Sequence, residues 1–185
     1  MTCIIGWIEE KNKKRDVWIG GDSAGVGGLN IRTRKDAKVF RNGNMLFGYT
    51  SSFRMGQLLR YSLNIPEQSS KKDDYEYMCT DFMNSVIDLF EKKKFAEVSN
   101  NIVSGGCFLV GYKGNLYKIE TDFQVGIPTF NFESTGCGEN IALGAMYAMK
   151  NLKITPQTRI KKALDAAAEF STGVRGPYII KKLGG

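Results

Sequence analysis

MTCIIGWIEEKNKKRDVWIGGDSAG, residues 1–25, contains two strand-like runs separated by a charged turn. Thr2–Ile8 is apolar and β-branched, which predicts a buried strand. The turn Glu9–Asp16 follows, and Val17–Gly20 predicts a second strand that closes a hairpin. Five glycines within Gly20–Gly28 then predict a tight, irregular loop. The chain therefore begins with an antiparallel pair of strands that is expected to lie in the core.

The rest of the sequence alternates between groups of strands and pairs of helices. Asn42-Gly43 is a strong hairpin signal between two short strands, Ala37–Arg41 and Asn44–Tyr49. Beyond Thr50 we predict two helices joined by the linker Pro66–Asp74: the first has Ser51 or Ser52 as N-cap and Met55, Leu58, Leu59 and Leu63 on one face, and the second has an apolar stripe of Tyr75, Cys79, Phe82, Val86, Leu89 and Phe90. Strands are then predicted at Gly106–Tyr112 and Leu116–Glu120, followed by an extended segment, Phe123–Phe132. A second pair of helices follows, the first opened by Gly136-Cys137-Gly138 and aligned on Ile141, Ala145, Met149 and Leu152, the second capped by Thr155 with Pro156 at its first position, and the last predicted element is a strand, Pro177–Leu183.

This order predicts the fold class. Hairpin connections dominate, so the sheets are expected to be mainly antiparallel. Two strand groups and two helix pairs predict an α+β four-layer sandwich, with two stacked sheets between helix layers. The length of 185 residues is that of one domain, so we assign residues 1–185 to a single domain.

Composition excludes several kinds of site. The chain has no histidine, so neither a Ser-His-Asp nor a Cys-His triad can form, and neither can a His-bearing zinc site. Four cysteines without a CxxC pair predict free, buried thiols. A net charge of +7 would suit an acidic partner, but the lysines are dispersed in small groups, which disfavours nucleic acid as the partner.

The sequence shows no sign of a membrane segment or a secretion signal. Its apolar runs are far too short to span a bilayer, so no membrane partner is expected. The first residues lack the basic-then-apolar order of a secretion signal, which predicts a cytoplasmic protein.

Thr2 is the first candidate for chemistry. A small residue at position 2 favours removal of Met1, which would give Thr2 a free α-amine beside its hydroxyl. An α-amine has a reference pKa of roughly 7.7–8.0, so it can act as a base near neutral pH without histidine. Nucleophile and base would then belong to one residue.

Several short motifs occur in an order and spacing that resemble the proteasome β-subunit family, and within it the bacterial HslV-like peptidases. They span the chain and are Thr2–Gly6, Gly20–Gly25, Lys38 sixteen residues after Asp22, Gly48–Ser52, Gly136–Gly138 and Glu169–Gly173. The resemblance implies an N-terminal-nucleophile hydrolase fold, and it implies neither a cofactor nor a metal. It also implies subunits in stacked rings, fed with unfolded chains or peptides by a ring-shaped ATPase unfoldase.

The resemblance implies a role for each matched residue. Thr2 would be the nucleophile, Lys38 the ammonium beside its hydroxyl, and Asp22 the carboxylate that holds this lysine. Ser51 would supply a backbone N–H to the oxyanion hole. Three further residues, each differing from the residue type usual in the family, would surround the amine of Thr2: Cys137, Glu169 and Thr172.

Other interpretations of these residues stay open. Asp22 could instead stabilise the glycine-rich turn through the backbone, Lys38 could be a surface lysine, and Gly136–Gly138 could be only a strand-to-helix turn. At the level of function, the alternatives to a threonine peptidase are a catalytically silent assembly or binding protein that retains Met1, and a basic module for nucleic acid or an acidic partner.

Overall fold

The structure is a computed structural model that describes residues 1–99 and 102–184. Within this part of the chain it forms thirteen strands and five α-helices. The strands are β1 (Ile4–Lys11), β2 (Lys14–Gly21), β3 (Ala24–Gly27), β4 (Asn30–Thr33), β5 (Val39–Asn42), β6 (Met45–Tyr49), β7 (Glu97–Ser99), β8 (Ile102–Ser104), β9 (Phe108–Tyr112), β10 (Asn115–Ile119), β11 (Val125–Gly126), β12 (Phe132–Thr135) and β13 (Ile179–Leu183). The helices are α1 (Phe53–Tyr61), α2 (Asp74–Tyr77), α3 (Met83–Lys92), α4 (Glu139–Met149) and α5 (Pro156–Phe170).

Two antiparallel sheets carry the fold. One has the strand order β12-β1-β2-β13, and the other has the order β11-β10-β9-β6-β5. The predicted N-terminal hairpin is β1–β2, with Ile4 opposite Gly21 and Lys11 opposite Lys14. β1 lies between β2 and β12, so the residues at its start are held by pairing on both sides.

Three apolar layers show that the sheets are stacked between helices. Ile4 packs between the sheets together with Leu46 of β6, whereas its neighbour Ile5 packs on the other face against α4 and α5. This alternation follows from the two-residue period of a strand. The outer face of the second sheet, including Phe47, packs against α1 and α3. The predicted α+β four-layer sandwich is therefore confirmed.

The predicted helix starts are also confirmed. Ser52, one of the two predicted N-caps, accepts a hydrogen bond from the backbone N–H of Arg54 at the start of α1. Thr155 caps α5 through the backbone N–H of Thr158, with Pro156 at the first position. Both caps satisfy a backbone donor that a helix start leaves without an intrahelical partner.

Three predicted elements were wrong in detail. The glycine-rich segment is not an irregular loop, because Ala24–Gly27 forms β3 and pairs with β4. The segment Phe123–Phe132 is extended only at β11 and at its end, where β12 begins. Of the residues aligned on α4, Leu152 lies beyond the helix end and is exposed, and the buried positions are Ala142 and Met146.

The aromatic stripe of the second predicted helix also changes phase. Residues Met78–Phe82 form a π-helical turn between α2 and α3. A π turn adds a residue to the helical repeat, which rotates the residues before it relative to those after it. Tyr75 and Cys79 therefore face outward, and Tyr77 and Met78 are buried in their place.

Two further expectations can be compared with the described residues. Among residues 1–99 and 102–184, no helix has the length and apolar character needed to cross a membrane. All four cysteines are free, but only Cys3 is fully buried. Cys107 is half-buried, and Cys79 and Cys137 are exposed. Burial raises the pKa of the Cys3 thiol to about 12, so this thiol is unreactive at neutral pH.

Candidate functional site

Thr2, Asp22 and Lys38 meet in one buried cluster. Lys38 Nζ lies 2.8 Å from Thr2 Oγ1 and 2.9 Å from Asp22 Oδ1, so the ammonium bridges the hydroxyl and the carboxylate. The three residues are only 4%, 1% and 2% exposed, in sequence order. They come from three places, just before β1, just after β2 and just before β5. Lys38 is therefore not a surface lysine.

Asp22 serves the turn and the lysine at the same time. Its Oδ1 accepts hydrogen bonds from Lys38 Nζ and from the backbone N–H of Cys3 at 3.0 Å. Its Oδ2 accepts from the backbone N–H groups of Ala24 at 2.8 Å and Arg175 at 3.4 Å. Four donors around a buried carboxylate offset the cost of removing it from water. The turn-stabilising interpretation of Asp22 is therefore correct, and it is compatible with a role in the site.

The charge on Lys38 is set by two opposing effects. Burial lowers the pKa of Lys38, because the charged form loses water, and the adjacent Asp22 carboxylate opposes this by attraction and hydrogen bonding. The salt bridge is almost fully enclosed, so bulk salt screens it little. A lysine in this setting can hold positive charge beside the Thr2 hydroxyl and can exchange a proton with it more readily than an exposed lysine.

The Gly136–Gly138 turn packs directly on Thr2. The backbone N–H of Thr2 donates to Cys137 Sγ at 3.2 Å, and the Cys137 thiol lies 3.4 Å from the carbonyl oxygen of Thr2. The N–H of Gly138 also points to that carbonyl, at 3.4 Å. Gly136–Gly138 is indeed a strand-to-helix turn, since it joins β12 to α4. It also places Cys137 against the backbone nitrogen of Thr2, which would become the free amine after removal of Met1.

Gly136 is expected to be the position in this turn that tolerates a side chain least. Its φ is +106°, and a Cβ would lie 2.3 Å from the carbonyl oxygen of Thr2. Gly136→Ala should lower the free energy of unfolding by about 2 kcal/mol or more and displace Thr2. The matched control is Gly144→Ala on the surface of α4, where a Cβ meets nothing within 4 Å. That control should be stabilising by about 0.5–1 kcal/mol. Chemical denaturation of both variants measures the difference, and equal stabilities would contradict this account of the turn.

Ser51 lies on the loop between β6 and α1. Its φ is +65°, and its Oγ accepts a hydrogen bond from the backbone N–H of Cys107 at 3.2 Å. Across residues 1–99 and 102–184, nothing accepts a hydrogen bond from the backbone N–H of Ser51. The side chain, predicted as a possible N-cap of α1, instead anchors an unusual backbone conformation that leaves a donor free.

Glu169 and Thr172 do not lie in this hydrogen-bonding network. Both residues are exposed, and Ser171 Oγ instead lies 3.4 Å from Cys137 Sγ. The buried face of α5 includes Ala167, and a position four residues later falls on the same face. That position is Ser171. Glu169, two residues from Ala167, therefore falls on the exposed face of α5.

A small cavity of about 60 Å³ opens beside Thr2. Thr2, Lys38 and Ser51 line it, together with Val26 and Phe53. Thr2, Lys38 and Ser51 therefore border one space, which Met1 also lines, and the Thr2 hydroxyl donates a hydrogen bond to the carbonyl oxygen of Met1. Within the described part of the chain, no group of three or more Cys, Asp or Glu side chains could hold a metal.

Glu139, which follows the Gly136–Gly138 turn, carries a charge that is paired. Its carboxylate lies 3.5 Å from Lys118 Nζ, which also pairs with Glu120 at 3.1 Å. Glu139 therefore does not place an unpaired negative charge beside Thr2.

Comparison with solved structures finds the same fold in proteins of low sequence identity. BPH of Thiobacillus denitrificans, solved in complex with epoxomicin, has a TM-score of 0.79 at 17% identity, with 98% of this chain and 97% of that chain covered. Eukaryotic HslV from Trypanosoma brucei has a TM-score of 0.70 at 16% identity, with both chains covered completely. The Anbu (Gly-1) mutant from Hyphomicrobium sp. strain MC1 has a TM-score of 0.65 at 12% identity, with 97% of this chain and 80% of that chain covered.

Sequence comparison alone does not give this result. No family model matches the chain, and no curated protein matches it significantly. The structural similarity extends over essentially the whole chain and confirms the resemblance seen in the short motifs. This chain therefore has the proteasome-type N-terminal-nucleophile hydrolase fold.

Proposed function

We propose that this protein is a threonine peptidase whose nucleophile is Thr2 after removal of Met1. One observation carries the proposal: the buried Lys38 ammonium lies within hydrogen-bonding distance of both the Thr2 hydroxyl and the Asp22 carboxylate. This arrangement supplies a positive charge where an alkoxide would develop, in a site that excludes most water. Because the chain has no histidine, a nucleophile must be activated by groups of another type, such as a lysine or an α-amine.

The first step is attack of Thr2 Oγ1 on a peptide carbonyl carbon. The hydroxyl proton passes to the free α-amine of Thr2, and the carbonyl π electrons move to oxygen. Lys38 stabilises the negative charge that develops on the attacking oxygen, and Asp22 holds Lys38 in place. Cys137 lies against the nitrogen of Thr2 and would orient the amine, with Ser171 on its other side.

The second step breaks the peptide bond. The oxyanion accepts a hydrogen bond from the backbone N–H of Ser51, which lines the same cavity as Thr2. Collapse of this intermediate expels the amine product, which takes the proton from the ammonium of Thr2, and leaves an ester on Oγ1. Water then attacks the ester with the amine as base, which releases the acid product and restores the hydroxyl.

Substrates and assembly follow from the fold rather than from the site. We expect the chain to form a homo-oligomeric ring in the cytoplasm, with unfolded polypeptides or peptides as substrates and a ring ATPase unfoldase as a partner. The fold shared with HslV and BPH supports this expectation. Size-exclusion chromatography with light scattering measures the ring directly.

The proposal is tested by intact-mass spectrometry before and after incubation with epoxomicin, the ligand in the BPH complex. The purified chain is expected to be lighter than its sequence by one methionine. Epoxomicin carries an epoxide next to a ketone, so Thr2 Oγ1 can add to the ketone while the α-amine opens the epoxide. No atom leaves in either addition, and the adduct mass should be the sum of the two masses.

The matched control is a chain extended at its N-terminus by one residue that aminopeptidase does not remove. It keeps every side chain of the site but ties up the amine of Thr2 in an amide, so it should form no two-bond adduct. Quantitative retention of Met1, or equal labelling of wild type and control, would contradict the proposal.

The second candidate is a catalytically silent assembly or binding protein that retains Met1. The exposed positions of Glu169 and Thr172 favour it, because two residues expected around the amine are not there. It predicts an unprocessed terminus and no epoxomicin adduct, so the same measurement separates the two candidates.

A further inference from the structure

A second cavity, of about 380 Å³, adjoins the space beside Thr2. Val26 and Phe53 line both cavities, so the two are neighbours across these side chains. The larger cavity has room for one amino-acid side chain together with several waters, each of which takes about 30 Å³. A substrate whose carbonyl carbon lies at Thr2 Oγ1 can therefore place an adjacent side chain in it.

The hairpin β3–β4 makes this cavity open and polar. Gly25 pairs with Arg32, and Gly27 pairs with Asn30, so these four residues share one face. The glycines add no side chain, and a Cβ at Gly27 would meet nothing within 4 Å. The polar side chains on this face are therefore Asn30 and Arg32 of β4 and, just after it, Arg34, whose aliphatic part covers Gly25.

The charge in the cavity is positive. Arg34 forms a two-bond ion pair with Asp36, at 2.8 and 2.6 Å, and stacks on the Phe53 ring at 3.8 Å. Arg32 is different, because among residues 1–99 and 102–184 no carboxylate forms an ion pair with its guanidinium. In the described part of the chain, no acidic side chain lines the cavity. One guanidinium thus faces this space without compensation.

We infer that this cavity selects an acidic side chain, glutamate or aspartate, next to the bond that is cleaved. The inference rests on the proposed peptidase function and names its substrate class. Arg32 is the specificity-determining residue, because a guanidinium can bind a carboxylate through two parallel hydrogen bonds, and Asn30 can donate a further one. A basic side chain is rejected by like charge.

The experiment compares peptides that differ only in the residue before the scissile bond: Glu, its neutral isostere Gln, Ala or Lys. Wild type should hydrolyse the Glu peptide with a kcat/KM about 10- to 100-fold above that of the Gln peptide. Arg32→Gln should remove this preference, so that the Glu and Gln peptides are cleaved at similar rates, and Arg32→Glu should favour Lys. The matched control is Arg41→Gln, which removes an exposed arginine that does not line the cavity and should retain the wild-type preference.

A binding measurement separates this inference from the proposed function. Equilibrium binding of the same peptides, blocked as C-terminal amides just after the selected residue, should favour Glu over Gln in wild type and not in Arg32→Gln. Preferential binding without hydrolysis would support the acidic subsite while contradicting the peptidase. Equal handling of Glu and Gln peptides in both assays, or no binding of either, would overturn the inference.

Discussion

Thr2→Ala is expected to reduce peptide hydrolysis by roughly 10⁴-fold or more, because it removes the only atom that can form the acyl ester. Alanine is also small, so Met1 should still be removed and the α-amine should still be free. The variant therefore isolates the hydroxyl from the base. Lys38 loses one hydrogen-bond partner but keeps Asp22, so the fold should be retained.

Two further variants make this measurement specific. Thr2→Ser keeps a nucleophilic hydroxyl and should retain measurable activity with the same adduct chemistry. Thr121→Ala, at an exposed position in a turn, makes the same chemical change elsewhere and should retain full activity. Initial rates with an unfolded protein and with a short peptide give the comparison. Undiminished hydrolysis in Thr2→Ala would mean that Thr2 is not the nucleophile.

Asp22→Asn is expected to have the second-largest effect, on activity and on stability together. Each Asp22 oxygen accepts from two donors, so the asparagine NH₂ must face two donors in either orientation. The Lys38 ammonium also loses its buried partner, which should cost about 3–5 kcal/mol. Hydrolysis should fall by about 10²- to 10⁴-fold. The control, Asp165→Asn in the exposed pair with Lys161, should change stability by less than about 1 kcal/mol.

The stability loss in Asp22→Asn should depend on pH. Without the carboxylate, burial alone acts on Lys38 and lowers its pKa further below the unfolded value of 10.5. Between the folded and the unfolded pKa, the unfolded chain binds more protons, so stability rises with pH. The difference from wild type should therefore shrink as pH rises towards 10. Denaturation at several pH values measures this, and a constant difference would mean that Lys38 is not the group affected.

A double variant distinguishes a structural role of the pair from a catalytic one. Lys38→Met combined with Asp22→Asn removes both charges and fills the lysine site with an apolar side chain. It should recover much of the stability lost in Asp22→Asn, because no unpaired ammonium remains buried. Activity should stay low. Recovery of both would indicate that the pair only supports the fold.

Local signals in the sequence were sufficient for much of the fold. The Ser52 and Thr155 caps, and the hairpin turn at Asn42-Gly43, depend on neighbouring residues, and all three are correct. The glycine-rich segment was predicted to be a loop, but part of it is strand β3. Glycine also occurs where one face of a strand carries no side chain, and whether that applies depends on tertiary contacts that the local sequence does not show. The π turn was not predicted, because Met78–Phe82 contains neither glycine nor proline to mark a change in the helix.

The same division applies to the candidate site. Thr2, Asp22 and Lys38 were predictable as a group because their spacing follows an ordered pattern of motifs along the chain. Ser171 was not, since Glu169-Phe170-Ser171-Thr172 contains several polar candidates and the choice depends on the end point and rotation of α5. The side-chain contact between Ser51 and Cys107 joins two segments 56 residues apart, and no local signal marks it.

The position of β1 in the centre of its sheet has a consequence for synthesis on the ribosome. Thr2 emerges before the strand and turn that enclose it, because β12 and Gly136–Gly138 are translated about 130 residues later. The last strand, β13, must then pair with β2 beside Asp22. Such distant pairings form slowly because a long loop has to close. A nascent chain therefore cannot complete the surroundings of Thr2 until these later segments have been translated.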